Sequence, residues 1–103
     1  MNRPTVVEAC ALAAKAIKPP KRTREGWCAL LPGPEGEPNY VLAGSAIYGS
    51  ILEQITRARV IYALGLITGL SYGDCQHLAY ATGCAGDTRA RVRAALEYKK
   101  ETA

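Results

Sequence analysis

Arg89, Arg91 and Arg93 alternate with small residues near the C-terminal end of this 103-residue chain, with Ala90 and Ala94 beside them. Guanidinium groups fork onto paired acceptors such as phosphate oxygens or a guanine edge, and an alanine-faced helix approaches a surface closely. A second basic set, Lys15, Lys18, Lys21, Arg22 and Arg24, has no acidic neighbour before Glu25. Both sets point to a polyanion. The net charge of +4, from 13 basic and 9 acidic residues, is a modest excess that by itself affects mainly solubility and encounter rates. Its distribution carries the information.

Other chemistry finds less support. The carboxylates Glu8, Glu25, Glu35, Glu37, Glu53, Asp74, Asp87, Glu97 and Glu101 are scattered, and the single histidine, His77, has no motif tying it to a nucleophile. No glycine-rich phosphate loop follows a strand. The chain reads as a non-enzyme with no cofactor. Cys75, His77 and Cys84 are the natural zinc candidates. On a helix, however, Cys75 and His77 would stand about 200° apart and could not face one ion, so no metal is expected. His77 then reads as an exposed helix residue, and Cys10, Cys28, Cys75 and Cys84 as free, apolar core residues.

The elements that must position the arginines follow from length and pattern. A chain of 103 residues with 49% apolar content suits one domain over 1–103. It contains no run of about 20 apolar residues able to span a membrane, and no secretory signal is recognised, so the cytoplasm is the expected compartment.

Helix 5–17 begins at Thr5, whose hydroxyl with Glu8 makes a capping box, and carries the stripe Val6, Cys10, Ala13, Ile17. Pro19 and Pro20 end it. The stiff basic connector that follows would use Lys18, Lys21, Arg22 and Arg24 as an arm on phosphates. Residues 26–43 read as a two-stranded hairpin around a Pro- and Gly-dense turn, with Trp27 facing Tyr40 across it. Helix 45–68 should restart at a Ser50–Glu53 capping box after a break at Gly49 and end at Gly69. Its stripe Ile51, Ile55, Ala58, Tyr62 is widened by Val60, Ile61, Leu64 and Ile67, as in a central helix touched on several sides. The fold expected is α+β and predominantly helical, with the first helix and hairpin packed on a C-terminal helical bundle.

Residues 71–99 hold a helix capped by Ser71 and Asp74, an interruption at Thr82, Gly83 and Cys84, and a last helix opened by Gly86 or Asp87. Leu70 to Leu96 resembles the helix-turn-helix superfamily of transcription regulators. Ala79 is the small residue where two helices cross, Gly83 the turn residue, and Leu78, Cys84 and Val92 the apolar pins. Six residues after the turn glycine, where that pattern has a β-branched apolar residue, this chain has Arg89. Either the helix is rotated or the arginine snorkels. The resemblance implies that double-stranded DNA receives the second helix in its major groove. Ala90 and Ala94 would face the bases and Arg89, Arg91 and Arg93 would flank them, with Arg91 and Arg93 the leading contacts. A homodimer on paired half-sites follows from the same likeness.

Two shorter pieces, Arg3 to Val7 and Pro38 to Val41 followed by Gly44 and Ser45, resemble segments of small phage anti-CRISPR proteins. That likeness implies a phage-type protein and offers a second kind of partner, a host defence protein or ribonucleoprotein complex covered by the inhibitor.

Overall fold

The computed structural model describes residues 2–32, 40–45, 47–83 and 85–102. In chain order they form α1 (Val6–Ala16), β1 (Lys21–Thr23), β2 (Gly26–Pro32), β3 (Tyr40–Ser45), α2 (Tyr48–Thr68), α3 (Tyr72–Ala81) and α4 (Thr88–Thr102). The α+β, mainly helical architecture matches the sequence reading. Among the described residues no helix is long and apolar enough to cross a membrane.

Local chemistry explains the helix ends. Thr5 accepts from the Glu8 backbone N–H at 3.2 Å while Glu8 accepts from the Thr5 N–H at 2.9 Å, closing the capping box of α1. At its other end the Ile17 carbonyl receives two hydrogen bonds from the Arg59 guanidinium, at 3.0 and 2.7 Å. This charge-assisted grip ties α1 to α2 just before the Pro19–Pro20 break. Gly69 closes α2 at φ 73°, a left-handed stop that a side chain would strain. Ser71 caps α3 by accepting from the Asp74 N–H.

Three differences from expectation concern the sheet and the start of α2. The basic connector is not a free arm: Lys21–Thr23 pairs antiparallel with β2, in the register Lys21↔Cys28, Arg22↔Trp27 and Thr23↔Gly26. The sheet therefore has three strands, ordered β1-β2-β3. Its edge is short and charged, a composition that discourages pairing with other chains. Trp27 lies opposite Ser45, not Tyr40, which pairs with Pro32. Strand β3 runs on to Ser45, and that extension sets the register. The capping box at Ser50 and Glu53 is absent, because α2 already begins at Tyr48 after an uncapped Ile47. The expected turn at 33–39 lies outside the described residues.

The two stripes on α2 serve two cores. Ile51 and Ile55 join Ile17 and Ala29 under the sheet, with Trp27, Leu31 and Ala58 against them. Val60, Ile61, Ala63 and Leu64 join Ala9, Cys10 and Ala13 of α1, Cys75 and Leu78 of α3, and Val92 and Ala95 of α4. Tyr62 packs against both clusters. Burying a Leu or Ile side chain contributes about 2 kcal/mol, so this doubly used helix organises the fold.

Candidate nucleic-acid interface

Helix α4 is opened by Asp87, whose carboxylate accepts from the Ala90 N–H at 2.9 Å. Val92 and Ala95 are fully buried and set its inner direction. Going around the axis at about 100° per residue, Ala90 and Ala94 lie opposite, Arg89 and Arg93 on one flank, and Arg91 on the other. Ala90, Ala94, Arg89 and Arg93 are exposed. Arg89 therefore does not enter the core: Val92 and Ala95 are buried while Arg89 faces solvent.

Arg91 departs from expectation. Its guanidinium meets both carboxylate oxygens of Glu53 at 2.9 Å and also donates to the Gly86 carbonyl at 3.1 Å. Its side chain is only 10% exposed. The residue read as a leading contact is thus a structural clamp, gripping α2 and the turn before α4 together. Arg57, one helical turn beyond Glu53, lies 3.5 Å from the same carboxylate and 5.0 Å from the centre of the Tyr80 ring. Glu53 and Arg57 thereby join α2, α3 and α4.

Residues 82–87 separate α3 from α4, more than the three or four residues usual in a helix-turn-helix. Gly83 takes φ 79° and Gly86 φ 91°, the left-handed turns that glycine accepts without strain. Leu78 and Val92 are buried, and Ala79 packs at the edge of the same core. Cys84 lies outside the described residues. Cys10 and Cys75 are buried and Cys28 partly so, while His77 is exposed. Among the described residues no group of His, Cys, Asp and Glu is placed to hold a metal ion.

The Arg89–Arg93 flank of α4 is exposed and borders α1 near Cys10. Burial pushes the Cys10 thiol above its ordinary range, against the opposing pull of Arg89 and Arg93 nearby. Further along this flank an open groove of about 640 Å³ runs between α2 and α4. Ile67 and Leu96 line it together with Arg93, Lys99 and Lys100. Lys99 and Lys100 stand in the last turn of α4, where they also complement the helix dipole. Their proximity to Arg93 depends on how α4 packs on α2.

The other basic set is divided. Lys18 and Arg24 are exposed in the connections, Lys21 and Arg22 are exposed on β1, and Arg22 lies 5.6 Å from the Trp27 ring centre. Compared with known protein families, curated proteins and solved structures, the chain matches none of them.

Proposed function

We propose that this chain binds double-stranded DNA through the outward face of α4 and acts as a helix-turn-helix-type transcription regulator of phage kind. The observation that carries the reading is the exposure of Ala90 and Ala94, one turn apart, beside exposed Arg89 and Arg93. Small residues let a helix sit deep in the major groove, where an alanine methyl meets a thymine methyl and an arginine forks onto guanine. With Arg91 committed to Glu53, Arg93 is the leading base or phosphate contact, and Arg89 its neighbour. The Arg91 clamp contributes by fixing the direction in which α4 leaves the turn. A homodimer would place two α4 helices on half-sites about 34 Å apart.

A mobility-shift titration with the DNA upstream of the chain's own coding sequence tests this reading. The wild type shifts it, and Ala90→Glu with Ala94→Glu abolishes the shift by setting carboxylates against bases and phosphates. A double variant that binds as well as wild type removes α4 from the interface.

A further inference from the structure

The start of α2 and the strand beside it carry a second aromatic and basic surface, distinct from the Ala90–Ala94 face that duplex binding by α4 uses. Tyr48 opens α2 and meets Trp27 edge to face, with ring centroids 4.4 Å apart. Arg22 lies over the Trp27 ring at 5.6 Å. Tyr48 is 45% exposed and Ile47 beside it 69%, and Leu52, one turn on, is exposed too. Trp27 is partly buried against the sheet core and so forms a rigid backing for the Tyr48 ring.

The position of this surface follows from α2. Counting about 100° per residue, Tyr48, Leu52 and Arg59 stand within about 40° of one another around the helix. Arg59 is the residue that holds the Ile17 carbonyl, so the basic connector leaves α1 on this same side. Lys18, Lys21, Arg22 and Arg24 are all exposed, and Glu25 is the sole acidic residue between Lys18 and Trp27. A lone exposed tyrosine would imply little. A backed, exposed ring with the Arg22 guanidinium at its backing tryptophan matches what an unpaired base and its phosphate need, since every base offers a π-face and the backbone offers negative charge.

We propose that Tyr48, backed by Trp27 and Arg22, is a stacking platform for single-stranded nucleic acid. A base lies on the open face of Tyr48 with Leu52 at its edge, and the adjoining phosphate is held by Arg22, which shares the Trp27 face of the sheet. Duplex DNA keeps its bases stacked and does not use this site. The proposal therefore stands independently of the α4 reading.

Trp27 is the only tryptophan, so its emission reports on the platform directly. The full-length chain is titrated with an oligodeoxythymidylate of about 15 nucleotides, a length in the range single-stranded sites cover. Trp27 emission is expected to be quenched, with affinity falling about tenfold or more in Tyr48→Ala and returning in Tyr48→Phe. Leu52→Glu, a surface change that leaves the core intact, gives a comparable loss. Arg93→Ala leaves the quenching unchanged, which separates this site from the α4 face. Absence of quenching, or undiminished binding by both Tyr48→Ala and Leu52→Glu, overturns the proposal. So does emission that responds to protein concentration alone, because it assigns the face to a second copy of the chain.

Discussion

Arg91 and Glu53 are 38 positions apart in sequence and joined by two parallel hydrogen bonds of 2.9 Å each. With Arg91 also donating to Gly86, one guanidinium sets the distance between α2, the α3–α4 turn and the first turn of α4. Planar, two-pronged geometry is what distinguishes arginine from lysine at such a site.

Removing this clamp should destabilise the protein more than removing the neighbouring Arg57. Arg91→Ala strips a carboxylate and a backbone carbonyl of a well-shielded donor, a loss of about 2 kcal/mol. Arg57 meets Glu53 at 3.5 Å with both side chains about a third exposed, and Arg57→Ala should cost less than about 1 kcal/mol. Thermal unfolding checks the order: Tm falls by roughly 10 °C for Arg91→Ala and only a few degrees for Arg57→Ala. Arg91→Lys should recover part of the loss, since a point charge reaches one partner at a time.

Glu8 should titrate below the usual glutamate range. The Thr5 backbone N–H, and then its hydroxyl, hold the carboxylate in its charged form. A carboxyl pKa lowered by folding contributes stability that is fully present above the ordinary value. That stability fades as pH falls through the lower, folded value. A proton-carbon NMR titration of the Glu8 side chain measures this, and Thr5→Ala should return its midpoint towards the ordinary value of 4.5. Ordinary titration of Glu8 in the wild type would show that the capping box does not persist in solution.

The buried thiols have the opposite linkage. Burial raises Cys75 above the usual thiol range, and raises Cys10 against the pull of Arg89 and Arg93. The unfolded chain ionises these groups first, so their contribution is intact below the unfolded thiol value and declines as pH climbs from about 8.5 upward. Denaturant melts should show falling stability between about pH 8 and 10, with a shallower fall in Cys10→Ala combined with Cys75→Ala. Equal slopes in both proteins would contradict the assignment. At neutral pH, a thiol reagent should modify Cys28 well before Cys75, which is 1% exposed.

What could be read from sequence was mostly local. The Thr5–Glu8 box, the Ser71 cap and the Gly69 stop each depend on residues within one turn. The widened stripe of α2 announced a helix touched on several sides, though not that it divides between two cores. Strand β1 was hidden because three residues rich in charge show no alternating pattern; only pairing with β2 makes them a strand. Glu53 invited a capping-box reading from its spacing to Ser50, whereas its real partner comes from the last helix. The pairing of Arg91 with Glu53 was hidden for the same reason. Helical angles place it on the flank of α4, but a flank is free or engaged according to what packs beside it. The Arg59 grip on Ile17 spans 42 positions and has no local signature at all.

On the proposed reading, Arg89 and Arg93, on the exposed flank of α4, contact DNA while Arg91 supports the helix from within. The most direct measurement is the salt dependence of duplex binding in wild type, Arg89→Ala/Arg93→Ala and Arg91→Lys. Each lost phosphate contact removes about 0.9 from the slope of log affinity against log salt concentration. Loss of affinity with a slope shallower by roughly one to two in the double variant, and a slope close to wild type in Arg91→Lys, is the predicted result. Unchanged affinity and slope in Arg89→Ala/Arg93→Ala would contradict it.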